Sequence, residues 1–455
     1  MEVTRDPDIR IAHARDVSGL ELIPEGVARA ASAEEVADLV RDCASSSTPI
    51  TPAGSQTSMT GASITDRGVL LSMRAMNRIV DIDRKRRIAR VEPGITIGDL
   101  NRVLAEDSLL FPPDPTSEND ATIGGAIACN ASGARSLYYG ATRAHVAGVR
   151  VIQADGTDKW YRRFRPEKNA VGYAAAQDPV DWFAGSEGTL GIVVEAELSL
   201  AILPEATVGL AVPFTSLDST LDFVVAAREQ TTRNALCLEL FDHRALELSS
   251  AHARTPWNVD ARAMIYLEDI PEDGGDVDSL LDHWLRLGEA HAAIVGDIRA
   301  YQTSSDLRDA RVMRHSVPAA MNELGASHRN AGGRKVSTDW AVPYTRLREA
   351  LRISEIAVKK HGASQPVTYG HAGNGHPHQN FIADNQGSLD RINAAIEETL
   401  RAVIDMGGTV SAEHGLGKLK KHWLPLQADA HQIAVMRALK QALDPQGIFA
   451  PGNIL

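Results

Sequence analysis

Three histidines lie within eight residues of one another in a chain with only 15: His371, His376 and His378, in the segment GHAGNGHPH. The Asn-Gly pair inside this segment is a strong signal for a two-residue hairpin turn. Such a turn places His371 directly opposite His378, with Cβ atoms about 5 Å apart, and His376 shares their face. Two imidazoles at that separation can bind one cation. The spacing therefore predicts a metal site, in a hairpin that Pro377 distorts because proline cannot donate to a strand ladder.

A carboxylate and a further histidine, Glu413 and His414, follow in the segment SAEHGLGK. Added to two histidines, Glu413 gives a His₂–carboxylate set with an open coordination position, which is typical of a catalytic metal centre. Adjacent residues in a strand point to opposite faces, so these two can act together only on a turn or a bulge. Gly415 makes such a turn plausible.

Three segments rich in glycine and small polar residues indicate a ligand held by loops. The segment PAGSQTSMTG, residues 52–61, can hold a diphosphate with its backbone N–H groups and hydroxyls, although no Walker GK[ST] follows. Residues 124–133 and 185–191 permit close approach of the backbone to a large, flat cofactor. Residues 111–140 show little periodicity, and we expect a long irregular loop that binds something. The alternative for all these segments is a set of surface turns in a loop-rich domain.

The composition indicates a globular protein and excludes several classes. The 455 residues carry a formal net charge of −12, which argues against a nucleic-acid partner and requires locally placed Arg or Lys to bind an anionic substrate. We find no apolar stretch long enough for a membrane span, and the charged start is unlike a secretory signal. Three cysteines without CxxC spacing form neither a disulfide framework nor an iron–sulfur ligand set. The sequence predicts a soluble, cytoplasmic protein.

Helical and strand patterns are interleaved along the chain, so the sequence predicts an α+β or α/β fold. Ser32 and Thr96 are predicted helix N-caps, and the last helix runs from 431 to 443. Predicted strands include 69–71, 79–82, 88–91, 146–153 and 191–200. Pro204 is a plausible domain boundary, beyond which a helix at 217–227 and strands at 236–240 and 263–267 indicate a second α+β unit.

Taken together, the motifs resemble the FAD-linked oxidases of the vanillyl-alcohol oxidase/p-cresol methylhydroxylase superfamily, and most closely the D-2-hydroxyacid dehydrogenase branch. The resemblance covers nearly the whole chain, from ITPAGSQTSMTGA through FPPDPTSENDATIGGAIACNASG, GSEGTLGIV, KVSTDWAVP, GHAGNGHPH and GGTVSAEHGLGKLK to FAPGNIL. It implies an α+β fold with a two-part FAD-binding domain of the p-cresol methylhydroxylase type at 1–203. A substrate or cap domain with an antiparallel sheet is implied at 204–410, and a C-terminal helical segment that closes the active site at 411–455.

The resemblance also implies roles for individual residues. The residues expected to hold the FAD pyrophosphate are Ala53, Gly54, Ser55, Gln56, Thr57 and Ser58. Those expected to line the rest of the cofactor are Thr122, Gly125, Asn130, Ser132, Gly133, Glu187, Ile192 and Asn453. The expected ligands of a divalent metal, Zn or Mn, are His371, His378 and Glu413. His414 is the expected general base, and Arg314 and Lys335 are expected to receive the substrate carboxylate.

The implied reaction is oxidation of a D-2-hydroxy acid to the 2-oxo acid, with hydride passing to flavin N5. An imidazole alone is too weak a base for an alcohol, so metal and base must act together. The electron acceptor would be an electron-transfer protein, a quinone or oxygen. The sequence leaves open whether the protein forms a homodimer. Arg308, Arg311 and Arg314 are spaced three residues apart on a predicted helix. For Arg308, a position on the solvent-exposed face of that helix is a simpler explanation than a contact with the substrate.

The chain departs from the family pattern at two places. The first loop has Ala53 and Ser55-Gln56 where relatives carry an arginine and more glycine. In the metal motif, usually G-H-x-G-D-G-N-x-H, Asn374 replaces the Asp and His376 replaces the Asn. These changes leave two alternatives open: a superfamily member with other chemistry, such as an alkyl-glycerone-phosphate-synthase-like enzyme or an alcohol/phenol oxidase, and a flavin electron-transfer subunit that needs a partner.

Overall fold

The computed structural model describes residues 1–164, 166–230, 235–253, 256–271 and 276–455. The chain forms two compact units. Unit 1 comprises Met1–Gly133, Gly140–Leu203 and Glu413–Leu455, and unit 2 comprises Ala134–Tyr139 and Pro204–Ala412.

The strands and helices of the described residues are as follows. The strands are β1 (Val3–Thr4), β2 (Gly26–Arg29), β3 (Ile50–Ala53), β4 (Val69–Ser72), β5 (Ile79–Asp83), β6 (Ile88–Val91), β7 (Leu109–Leu110), β8 (Val146–Ile152), β9 (Asp158–Arg162), β10 (Ile192–Ser199), β11 (Ala201–Ile202), β12 (Val208–Phe214), β13 (Cys237–Asp242), β14 (Ala263–Asp269), β15 (Arg299–Tyr301), β16 (Gly332–Ser337), β17 (Val367–His371) and β18 (His376–Asn385). The α-helices are α1 (Pro7–Ala12), α2 (Ala33–Ser46), α3 (Ile97–Leu104), α4 (Ile123–Cys129), α5 (Ser136–Tyr139), α6 (Thr142–His145), α7 (Ala174–Gln177), α8 (Leu217–Glu229), α9 (His243–Ser249), α10 (Val277–Ala290), α11 (Ser304–Ser327), α12 (Leu347–His361), α13 (Gln386–Asp405), α14 (Leu424–Gln427) and α15 (Ala430–Leu443).

Unit 1 contains two main sheets, and each contributes to a large hydrophobic core. The first sheet has the order β1-β2-β4-β3, with β2, β4 and β3 parallel, and its core includes the apolar face of α2. The second is antiparallel, with the order β5-β6-β10-β8-β9, and its core includes α3 and α4. Because β3 ends at Ala53, the loop of residues 54–60 leaves the carboxyl end of a parallel strand, where α/β proteins commonly bind ligands.

Unit 2 is built on one seven-stranded sheet with the order β15-β12-β14-β13-β17-β18-β16, in which every neighbouring pair is antiparallel. One face of this sheet carries Phe241 of β13, Met264 of β14 and every second residue along each strand from these two. These two side chains pack against Met313, Val317 and Met321 of α11 in a buried core. The polar members of the same face become important below, because the strand register places them side by side.

The sequence-based predictions of fold and elements are largely confirmed. The α+β class is correct, and Ser32 and Thr96 cap α2 and α3 by accepting backbone N–H groups of Glu35 and Asp99. The predicted strand at 146–153 is β8, and the predicted last helix is α15. The expectation of an irregular loop throughout 111–140 is wrong. Thr122 caps a helix, α4, in the middle of it, because its hydroxyl accepts the N–H of Gly125 and the apolar residues that follow are buried.

Candidate active site

The three histidines of GHAGNGHPH form a buried cluster in unit 2. His371 ends β17, and His376 and His378 begin β18. The ring centroid of His371 lies 5.4 Å from that of His376 and 5.2 Å from that of His378. The ring centroids of His376 and His378 are 4.6 Å apart. Each ring offers one nitrogen within 4.8 Å of a nitrogen of the other two. The cluster is therefore a set of closely spaced imidazoles that a transition-metal ion can bind.

The predicted register of this hairpin is wrong. His371 pairs with His376, and His378 pairs with Tyr369, so the loop has four residues rather than two. A type I′ turn needs positive φ at both central residues. Only Gly375 of the Asn-Gly pair has it, with φ +66°, after a single 3₁₀ turn over Ala372–Asn374. The pairing has moved by two residues, which is one full period of a strand, so all three histidines still share one face.

Glu239 is a buried carboxylate that sequence reasoning missed. On β13 it lies beside His371, whose Nδ1 is 2.7 Å from Glu239 Oε1, and its Oε2 accepts a bond from Arg314 Nη2 at 3.2 Å. Burial alone would raise the pKa of Glu239. The positive charges of His371 and Arg314 outweigh burial and lower that pKa to about 2. The signal in the sequence was a single acidic residue inside the apolar run CLELF.

Asp339 is a second buried carboxylate beside the histidine cluster. Its Oδ1 lies 3.2 Å from His376 Nε2, and its Oδ2 accepts a bond from Ser411 Oγ at 2.5 Å. The Asp339 side chain is fully buried. Two of the three imidazoles thus have an acidic oxygen at one ring nitrogen, which is the usual environment of metal-binding histidines.

The structure also places both predicted carboxylate-binding cations in unit 2. Arg314 lies on α11, its side chain is 13% exposed, and it faces Glu239, whereas Arg308 on the same helix is exposed. Lys335 lies on β16, and its Nζ donates to Asn322 Oδ1 of α11 at 2.5 Å. Burial lowers the pKa of Lys335 to about 8. A lysine with this pKa changes its charge close to neutral pH.

Glu413 and His414 lie on a bend in unit 1, as their adjacency requires. The distance from Glu413 Oε1 to His414 Nε2 is 3.5 Å, and Glu413 Oε2 accepts a bond from Ser132 Oγ at 3.1 Å. The backbone carbonyl of His414 accepts a bond from Thr60 Oγ1 at 3.3 Å. The carboxylate and the imidazole can therefore present their polar atoms on the same side of the chain.

Glu187, predicted to line the cofactor, directs its carboxylate at the loop that follows His414. Glu187 Oε1 accepts the N–H of Leu416 at 2.7 Å, and Oε2 accepts the N–H of Gly417 at 2.9 Å. Burial raises the pKa of Glu187. Its backbone carbonyl accepts a bond from Asn453 Nδ2 at 3.1 Å, so the C-terminal residues are tied to the same loop. Glu187 thus has a visible role in positioning the segment that carries His414.

This contact predicts an unequal effect of two glycine substitutions in unit 1. Gly415 has φ +71°, and a Cβ there would lie 2.4 Å from Glu187 Oε1, whereas Gly447 has φ +66° with no atom within 4 Å of its Cβ. Gly447→Ala should cost only the backbone strain, about 1–2 kcal/mol. Gly415→Ala should cost about 3–5 kcal/mol, because it also displaces a buried carboxylate from its hydrogen bonds. Urea unfolding followed by tryptophan fluorescence measures both, and equal shifts in midpoint would contradict the proposed role of Glu187.

The predicted diphosphate loop has the geometry of a close backbone approach. A Cβ on Gly54 would lie 2.2 Å from Thr122 Oγ1, so only glycine fits between the loop and the start of α4. Within the part of the chain that the structure describes, the backbone N–H groups of Ser55 and Thr57 donate to no protein acceptor. Such half-buried donors fit the oxygens of a diphosphate. Gln56 adopts φ +57°, and its side chain turns back to donate to His13 O at 2.9 Å.

The remaining residues predicted to bind the cofactor also lie in unit 1, in different roles. Asn130 ends α4 in the left-handed conformation, and its Oδ1 accepts the N–H of Arg143. Gly133 lies against Asp114, where a Cβ would meet the Asp114 carbonyl at 2.2 Å. The side chain of Ile192 is buried in the core of the first sheet.

Comparisons with known proteins agree with this architecture. Residues 24–160 match the FAD binding domain family, and residues 203–454 match the family described as FAD linked oxidases, C-terminal domain. The chain is 31% identical to the glycolate oxidase subunit GlcD of Bacillus subtilis, over 95% of this chain and 89% of the relative. It is 30% identical to a probable mitochondrial D-lactate dehydrogenase of Danio rerio, over 98% and 88% of the two chains.

The solved structure of an alkyldihydroxyacetonephosphate synthase is similar with a TM-score of 0.72 and 18% identity, over 99% of this chain and 82% of the other. At that identity the likeness concerns the fold alone. The family matches are more informative, and they show that the chain belongs to the FAD-linked oxidases. It is an FAD-linked oxidoreductase. None of the helices formed by the described residues has the length and apolar character that a bilayer span requires.

Proposed function

We propose that this enzyme oxidises a D-2-hydroxy acid to the corresponding 2-oxo acid with the help of a divalent metal ion. The observation that carries the proposal is one face of the unit 2 sheet, on which buried histidines lie beside Glu239, and Glu239 in turn accepts a bond from Arg314 of α11. Imidazoles suit a transition metal, and a guanidinium suits a carboxylate. The relatives named as a glycolate oxidase subunit, a D-lactate dehydrogenase and a D-2-hydroxyglutarate dehydrogenase support the same substrate class.

The residues have distinct tasks in this proposal. Arg314 and Lys335 bind and orient the substrate carboxylate, and His371 and His378 bind the metal. Glu239 holds the Nδ1 proton of His371 and thereby leaves its Nε2 to the ion. Glu413 as a third ligand and His414 as the base that takes the hydroxyl proton remain predictions from the sequence.

The two bound groups supply the chemistry that side chains lack. When bound, a divalent ion would supply a lower pKa for the substrate hydroxyl, and FAD would supply the hydride acceptor. The diphosphate segment at 53–58 and the tail residue Asn453 are proposed FAD contacts. The acceptor that reoxidises the flavin is proposed to be an electron-transfer protein, a quinone or oxygen.

Anaerobic titration of the purified protein with a panel of D- and L-2-hydroxy acids tests the proposal. Loss of flavin absorbance with a D-2-hydroxy acid, together with one divalent ion per chain, is the expected result. Bleaching in the isolated protein would also dismiss an electron-transfer subunit that depends on a partner. If no D-2-hydroxy acid bleaches the flavin, the proposal fails.

Arg314 and Arg308 provide a matched pair for testing the carboxylate contact. Arg314→Ala should raise KM about 10- to 100-fold, because a charge-assisted hydrogen bond contributes about 1.5–3 kcal/mol. Arg308→Ala should change KM little, since that side chain is exposed on the same helix. Arg314→Lys serves as a folding control because it keeps a positive charge beside Glu239. Equal, mild effects of the two alanine variants would count against the contact.

The pKa of Lys335 predicts an upper pH limit for substrate binding. Its pKa of about 8 means that it is charged below pH 8 and neutral above it. A carboxylate is attracted only to the charged form, so kcat/KM should fall as the pH rises through about 8. Lys335→Gln should lower kcat/KM at neutral pH and remove this alkaline limb. A wild-type limb that persists unchanged in the variant would show that another group titrates.

A further inference from the structure

We propose that His376 is a third imidazole ligand of the metal, so that unit 2 by itself supplies three nitrogen ligands. This deepens the proposed function and rests on its metal site. The assignment starts from the hairpin register, which pairs His376 directly with His371. Its ring is 4.6 Å from that of His378, nearer than the ring of His371 is.

The separations of the three rings suit one ion. Tetrahedral zinc, with Zn–N distances of about 2.0–2.1 Å, holds its nitrogens roughly 3.4 Å apart. The ligand nitrogens of His371, His376 and His378 lie within 4.8 Å of one another. Side-chain movements of roughly 1 Å therefore close the site around an ion, and the backbone of the hairpin need not change.

The surroundings of His376 are those of a metal ligand. Its side chain is buried, as is that of Asp339, whose Oδ1 lies 3.2 Å from His376 Nε2. Asp339 is held from the other side by Ser411 Oγ. A carboxylate this close to one ring nitrogen favours a proton on that nitrogen, which leaves the other nitrogen to an ion. Glu239 Oε1 lies 2.7 Å from His371 Nδ1, so two imidazoles of the cluster each have a carboxylate oxygen close to one ring nitrogen.

A third imidazole ligand should change which divalent metal the site prefers. Imidazole nitrogen favours zinc and other late transition metals, whereas manganese and magnesium favour oxygen ligands. We expect this protein to prefer zinc to manganese strongly. Replacing His376 by asparagine keeps a polar side chain but removes the imidazole, so the preference should shift toward manganese.

The test measures zinc affinity on the full-length, FAD-loaded protein without substrate. The protein is stripped with a chelator and titrated with zinc against a chromophoric competitor, for wild type, His376→Asn and the control His361→Asn. His361 contacts Glu398 instead of the cluster. Loss of a residue that only orients a ligand costs 10- to 100-fold in affinity, so loss of a ligand should cost more than about 100-fold. The control should match wild type.

Zinc-edge X-ray absorption of the wild-type protein counts the coordinated imidazoles directly, and does not depend on the variant folding. Three imidazoles support the proposal, and two overturn it. A zinc affinity of His376→Asn equal to that of wild type also overturns it, as does a wild type that binds no zinc. Because no substrate is present, these outcomes are separate from a failure to oxidise 2-hydroxy acids.

Discussion

His414→Ala should slow flavin reduction by substrate about 10²- to 10⁴-fold, the usual contribution of a general base. The loss should fall on chemistry rather than on cofactor binding. The loop that carries His414 is held through its backbone, by Thr60 Oγ1 at the His414 carbonyl and by Glu187 at Leu416 and Gly417. Removing the imidazole leaves these bonds in place. Stopped-flow absorbance measures the rate, and the ratio of protein to flavin absorbance measures FAD content.

The control is His431→Ala, which removes an exposed histidine of α15 in the same unit. It should reduce its flavin as fast as wild type. Flavin bleaching at nearly the wild-type rate in His414→Ala would rule out His414 as the base. Loss of FAD from that variant would instead indicate a structural role for its side chain.

His378→Ala should abolish stoichiometric metal binding and lower kcat by roughly three orders of magnitude, because the Lewis acid contributes several kcal/mol to the barrier. His378 is buried in the middle of the histidine cluster, with ring centroids 5.2 Å and 4.6 Å from its two neighbours. Metal analysis and steady-state kinetics on the same sample check both parts. Chelation of the wild-type enzyme should reproduce the kinetic loss, and added zinc should reverse it.

His361→Ala is the matched control for this prediction, since His361 lies in unit 2 and contacts Glu398 on the helix α13. It should keep its metal and its activity. If His378→Ala bound a full equivalent of metal as tightly as wild type, His378 would not be a ligand. If it lost the metal but kept its activity, the metal would have no part in catalysis.

Local sequence signals were reliable for this protein because they act over a few residues. Ser32 and Thr96 cap helices through bonds to residues three positions away, and strand periodicity located β8 and β10 to within one or two residues. The same local logic failed at Asn374-Gly375. The type I′ turn competes with a longer loop whose 3₁₀ turn ends at Asn374. A Cβ on the glycine that follows, Gly375, would lie 1.9 Å from the carbonyl of Val342, far away in the chain.

The sequence determined that helices and strands are interleaved, and its resemblance to the family implied the α+β class; it also determined the order of the motifs and the residue types that could bind a metal and a diphosphate. The tertiary structure alone decided the hairpin register and the partners of each charged group. Glu239 and His371 are 132 residues apart, and Glu187 and Gly417 are 230 apart. A buried charge is stable only beside a partner that compensates its lost hydration. Which distant residue provides that compensation depends on how the strands pair, and no local window of sequence contains that information.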